Sequence, residues 1–206
     1  MEQVFDADEV RGVLHTPEHA TGDGLVLTHG AGSNSNAPLL VSLSRAFCDA
    51  GLTVLRYDLP FRVVRPSGPP HPAAAARDRE GVLRAVEALR QRAHGRVFAG
   101  GHSYGGRQTA MLAAERPGLV DGLLLLSYPL HPPKKPDQPR TGFFPEWRTP
   151  ALFVHGTRDP FGTLEELRAA TQLIPARVDL LAVEGAGHDL RQAARMGGEI
   201  LARMLF

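Results

Sequence analysis

Three residue types in this chain can do nucleophilic chemistry together: a serine, an acid and a histidine, met in that order. Ser103 stands at the centre of Gly101-His102-Ser103-Tyr104-Gly105. An apolar run, Arg96 to Gly100, precedes it, and a helical pattern, Arg107 to Ala114, follows it. A G-x-S-x-G between a strand and a helix forms a sharp turn that lifts the serine oxygen above the sheet. The flanking glycines let strand and helix approach without a Cβ clash.

A serine hydroxyl is a weak nucleophile at neutral pH and needs a base, which needs an orienting group. His188 is the candidate base, in the glycine-loosened loop Glu184-Gly185-Ala186-Gly187-His188-Asp189 that follows the last strand pattern. Asp159 is the candidate acid, in His155-Gly156-Thr157-Arg158-Asp159-Pro160, just past another strand. Asp58 also follows a strand, but it precedes Ser103 and breaks the required order. Asp189 adjoins His188, and a sequence neighbour points away.

The oxyanion of the tetrahedral intermediate requires backbone N–H donors. Tyr104, next to the nucleophile, supplies one. The loop His29-Gly30-Ala31-Gly32-Ser33 supplies the other, from Ala31 with Gly32 in reserve. His29 belongs to the pocket region and braces this loop without reacting.

Such residues need a scaffold that brings distant strand ends together. Strand patterns occur at Val10 to His15, Gly24 to Thr28, Leu52 to Tyr57, around Val97, at Leu119 to Ser127, Ala151 to His155 and Val178 to Val183. Helical patterns lie between them: Leu39 to Ala50, Ala73 to Ala93, the segment after Ser103, Leu164 to Leu173 and Leu190 to Leu205. Residues 61 to 72 read as a proline-rich loop. This alternation predicts an α/β fold: a mostly parallel twisted sheet of about seven strands with helices on both faces. Chemistry in such sheets collects at the carboxyl ends of the strands, where Ser103, Asp159 and His188 all fall.

At 206 residues one domain, residues 1–206, is expected. A formal charge of +1 favours no polyanionic partner such as nucleic acid. Cys48 is the single cysteine, so no internal disulfide forms. No membrane-length apolar run and no leader-like segment are present, which points to the cytoplasm. No phosphate loop with a following lysine and no metal-ligand spacing occur, so no cofactor and no metal are expected.

Residues 128 to 149 are rich in proline, which forbids a helical cap and favours a stiff flap. Tyr128, Phe143, Phe144, Trp147 and Phe161 either wall the substrate pocket or pin the flap to the body. Lys134 and Lys135 form a solvated tip.

With these elements placed, the chain resembles the α/β-hydrolase superfamily over nearly its whole length, among its small members without a large cap domain. The narrower resemblance is to bacterial putative hydrolases, the testis-expressed α/β-hydrolase-like protein and the hydrolase-like region of a histone-acetyltransferase NSL-complex subunit. It rests on Gly101 to Arg107, Leu124 to Pro133, Leu152 to Gly162 and Glu184 to Leu190. The resemblance implies distance from dienelactone hydrolases, whose nucleophile is cysteine. Family membership supplies no substrate; Ser103, His188, Asp159 and the oxyanion amides themselves point to a small-molecule ester or thioester and an acyl-enzyme. The alternative from another class is a hydrolase-like interaction module bound to a protein partner.

Overall fold

A computed structural model describes residues 1–204 of the chain. Eight strands form one sheet: β1 (Glu2–Ala7), β2 (Val10–His15), β3 (Gly24–Thr28), β4 (Thr53–Asp58), β5 (Val97–His102), β6 (Gly122–Leu126), β7 (Ala151–Gly156) and β8 (Val178–Val183). Their spatial order is β1-β2-β4-β3-β5-β6-β7-β8. Pairing from β4 through β8 is parallel, and β1 and β2 run antiparallel at one edge.

The sheet has one strand more than the sequence predicts. β1 is the addition, and only Phe5 of its six residues is buried. An edge strand with one core side chain carries no apolar run to announce it. Glu2 explains its docking, since its carboxylate meets Arg45 at 2.6 Å and Arg56 at 3.7 Å.

The central strands β3, β6 and β7 are buried along their whole length. Helices on both faces remove water from both sides of a parallel sheet, which is why these strands read as unbroken apolar runs. On one face, α1 (Pro38–Asp49) and α6 (Gly197–Met204) cover Leu25, Leu27, Phe98 and Leu124 with Leu40, Leu43, Phe47 and Ile200. On the other face, α3 (Ala75–Arg90), α4 (Tyr104–Glu115) and α5 (Leu164–Thr171) contribute Val82, Val86, Leu89, Ala110 and Leu167. Among the described residues no helix is long and apolar enough to cross a membrane.

Two segments depart from the sequence reading. Residues 61–64 of the expected loop 61–72 instead belong to a short helix, α2 (Pro60–Val64). Proline at its first position is pre-set for helical φ and lacks a donor that would be unpaired anyway. The predicted last helix is broken: Arg191–Arg195 is a 3-10 turn, and α6 starts only at Gly197. Leu190 before it is left-handed, with φ 49°. The expected end at Leu205 lies outside the described residues.

Candidate active site

The turn between β5 and α4 is built by absence of side chains. A Cβ on Gly105 would lie 2.5 Å from the His29 carbonyl oxygen, and one on Gly106 would lie 2.5 Å from that of Gly101. Neither contact is tolerable, so helix α4 can start here only on glycine. Ser103 takes the strain, with φ 51° and ψ −115°, at a cost of about 1–3 kcal/mol. Its amide donates to the Leu126 carbonyl at 2.8 Å, and its carbonyl accepts from Arg107 at 3.0 Å. The core on either side over-determines the turn.

Ser103, Asp159 and His188 follow β5, β7 and β8, and the sheet brings them together. The Asp159 carboxylate accepts from His188 Nδ1, at 2.8 Å to Oδ2 and 3.0 Å to Oδ1. A ring that donates from Nδ1 and is neutral keeps a lone pair on Nε2. That lone pair faces the Ser103 hydroxyl at 2.8 Å. Asp159 is fully buried at its side chain. Burial would raise its carboxyl, but the bond and charge of His188, the Phe161 N–H and His155 outweigh this and hold it below the usual range. It therefore remains a charged acceptor. The Phe161 amide supplies one of these bonds, at 2.9 Å. The Phe161 ring stacks on His188, centroids 4.1 Å apart.

The other candidate acids are occupied elsewhere. Asp58 accepts from the Ser35 amide at 2.6 Å, and Asp189 pairs with Arg191 at 2.6 Å. His155 is buried in β7 and donates from Nε2 to the Gly162 carbonyl at 2.8 Å.

The loop at 29–33 is braced from below. His29 is fully buried and donates from Nδ1 to the Gly30 carbonyl at 2.9 Å, while its Nε2 accepts from Leu59 N–H at 3.1 Å. Ser33 N–H reaches the same Gly30 carbonyl at 3.1 Å. Carbonyl and N–H of a trans peptide point opposite ways, so these two donors orient the N–H of Ala31. Sequence reading missed the second brace, Arg62 of α2. Its guanidinium donates to the carbonyls of Ala31 (2.8 Å), Ser33 (2.7 Å), Arg65 (3.0 Å) and Gly68 (3.0 Å). Among the described residues, the amides of Ala31 and Tyr104 donate to no protein acceptor.

Tyr104 is fixed at its far end. Its hydroxyl donates to Asp78 Oδ2 at 2.7 Å, and Asp78 Oδ1 accepts from Phe61 N–H at 3.0 Å. Burial pushes the Asp78 carboxyl up, partly offset by these donors and Arg77.

A cavity of about 710 Å³ opens onto Ser103 and His188. Gly30 to Ser33 line its floor with Tyr104. Pro69, Pro70, His71 and Pro72 also line the cavity, as do Pro129 and Arg140. Of the five aromatics considered for its wall, only Phe161 lines it. Tyr128, Phe144 and Trp147 are at most 1 % exposed and pin the flap. Tyr128 meets Phe144 and Phe153, and Phe143 stacks on Trp147 at 5.9 Å. Their polar tips find backbone: Trp147 Nε1 donates to the Thr149 carbonyl and Tyr128 Oη to that of Arg140. Burying such large rings drives the flap inward, and its helical content is one 3-10 turn at Phe144–Glu146. His29 also lies under the cavity floor rather than on its wall, and it borders an adjacent cleft beside Leu39 and Leu40. The prolines of 69–72 went unrecognised because loop prolines look alike whether or not they border a site.

This architecture is shared with known proteins. An alpha-beta serine hydrolase homologue from Coxiella burnetii superimposes with TM-score 0.77 at 16% identity, over 98% of this chain and 96% of that one. A dienelactone hydrolase from Anabaena variabilis gives TM-score 0.74 at 21% identity, covering 98% of each chain. A serine hydrolase without a lid from Xanthomonas campestris gives 0.70 at 17%, covering 97% and 93%. A sequence model of the alpha/beta hydrolase domain matches residues 21–204, nearly the whole chain, and so the protein belongs to the alpha/beta hydrolase domain family.

Proposed function

We propose that this protein is a serine hydrolase of carboxylic esters or thioesters. The observation that carries the proposal is the unbroken relay from Asp159 through His188 to Ser103, 2.8 Å on either side of the ring, opening on a substrate-sized cavity. Ser103 Oγ bonds to the substrate carbonyl carbon while its proton passes to His188 Nε2. Asp159 stabilises the imidazolium through Nδ1 and does not take the proton. The amides of Ala31 and Tyr104 hold the oxyanion, with Gly32 in reserve for Ala31; their free N–H groups beside the cavity support this role. The tetrahedral adduct collapses. The carbon–oxygen or carbon–sulfur bond breaks, and the leaving group takes the proton from Nε2. Water, deprotonated by the same ring, then releases the acid and restores Ser103.

The narrower likeness carried by residues 124–133 and 152–162 supports a place beside the testis-expressed and NSL-subunit hydrolase-like proteins. A flap pinned to the body by its own aromatics, with no helical cap, leaves the site open and suits small or surface-presented esters.

Rapid mixing with p-nitrophenyl acetate tests the mechanism. A burst of nitrophenolate of about one equivalent per chain is expected, absent in Ser103→Ala. Asp159→Asn should keep the fold and lose roughly 10³–10⁴ in kcat, because the ring is then held in the wrong tautomer. Equal turnover by wild type and Ser103→Ala would end the proposal.

A further inference from the structure

The cavity beside Ser103 holds two guanidinium groups and, among the described residues, no carboxylate lines it. Arg107 lies four residues after Ser103 on α4, about 6 Å along the axis. Arg140 reaches in from the flap. The Arg107 guanidinium meets the Tyr128 hydroxyl, but its Nε is buried without a partner, and so is the side-chain nitrogen of the adjacent Gln108, itself fully buried. The one side-chain bond of Arg140 is a long one, from Nη1 to the Pro129 carbonyl at 3.3 Å. Burial, and then the charge of Arg107, make Arg140 a weaker base than usual.

The two fully buried arginines, unlike half-buried Arg107 and Arg140, have every donor group engaged by neighbours. Arg62 satisfies four carbonyls. Arg56 donates to His15, Ser35 and Asn36 and faces Glu2. Two like charges sharing a cavity wall without a counter-ion repel each other. A buried donor left unpaired costs about 1–3 kcal/mol, more when charged. A bound anion removes both penalties, and guanidinium forks match planar or tetrahedral oxyanions in bidentate fashion.

We propose that Arg107, Arg140 and the Gln108 amide form an anion subsite, so that the substrate is an ester or thioester carrying a carboxylate or phosphate group on its acyl chain. This deepens the hydrolase reading and rests on it. Ser103 attacks the ester carbonyl while the arginines hold the charged end. The prolines Pro69, Pro70 and Pro72, which line the same cavity, pack on the chain between.

Binding to the Ser103→Ala protein separates this subsite from turnover. Monomethyl glutarate, dimethyl glutarate and inorganic phosphate are titrated by calorimetry, and the first is repeated with added salt. We expect monomethyl glutarate or phosphate to bind at least about tenfold more tightly than the uncharged diester. Added salt should weaken it, and Arg107→Gln or Arg140→Gln should erase the preference. The tighter of the two anions identifies the group. Diester binding equal to that of both anions overturns the subsite, and this comparison needs no arginine variant to fold. Labelling of Ser103 in wild type by a fluorophosphonate is read in parallel. Labelling without charge selectivity removes the subsite alone. Charge selectivity without labelling removes the hydrolase reading and leaves the subsite.

Discussion

His102 donates from Nε2 to the carbonyl oxygen of His188 at 2.7 Å. The residue before the nucleophile thereby holds the backbone of the base, 86 positions away in the chain. The direction is unambiguous, because a carbonyl only accepts. Burial holds the His102 imidazole down to about 4, so it stays neutral and keeps this tautomer at working pH. The elbow and the base loop are therefore one unit, and a shift in either moves the 2.8 Å gap between Ser103 and His188.

His102→Phe deletes the donor and leaves the His188 carbonyl unpaired. A misplacement of the base by a fraction of an ångström is expected to lower kcat by roughly ten- to a hundredfold. His102→Gln, which keeps an N–H of similar reach, should retain most of it. Steady-state kinetics on the two variants decide the matter. Equal kcat in both would mean that the bond does not position the ring.

Arg62 offers a second case of action at one remove. Arg62→Met removes donors from four carbonyls in a site that is 6 % exposed. The loss in stability should be on the order of 2–4 kcal/mol. Because the Ala31 and Ser33 carbonyls swing free, kcat should also drop by about tenfold or more while KM changes little. Arg62→Lys should not rescue it, since an ammonium cannot span the four acceptors. Urea denaturation and kinetics below the melting range separate the two effects.

Much of this was legible in the sequence, and the reasons differ by residue. Ser103, Asp159 and His188 each sit where a parallel strand ends, so strand counting located them. Buried strands such as β6 and β7 announce themselves as apolar runs. β1 did not, because only Phe5 enters the core. Arg62 and His102 act through backbone carbonyls, and a carbonyl has no letter in a sequence. The same holds for Trp147 and Tyr128. Their composition fitted a pocket wall and a flap anchor equally, and three-dimensional packing chose the anchor.

The histidines predict an acid-sensitive fold. His15 and His102 both lie at about 4, chiefly through burial, and His29 and His155 are also lowered by burial. In the unfolded chain each titrates near about 6.5. Below that pH the unfolded state takes up protons that the folded state refuses, so stability falls as pH drops from about 6.5 toward 4. Asp159 adds its own loss only below the ordinary carboxylate range, since its folded value is depressed. His15→Gln still offers an acceptor to Arg56 but no longer titrates. Its stability should fall less steeply, by about 1 kcal/mol per pH unit between pH 5 and 6. Urea melts at several pH values give this slope, and parallel curves for the two proteins would refute the assignment.

The central claim is that Ser103 is made nucleophilic by His188. Intact-mass spectrometry after mixing with a fluorophosphonate reads this directly, on wild type, Ser103→Ala and His188→Ala. One adduct per chain is expected in wild type, mapped to Ser103, with labelling slowed by orders of magnitude in His188→Ala and lost in Ser103→Ala. An adduct that forms equally fast without the imidazole, or that maps to another residue, would contradict the account.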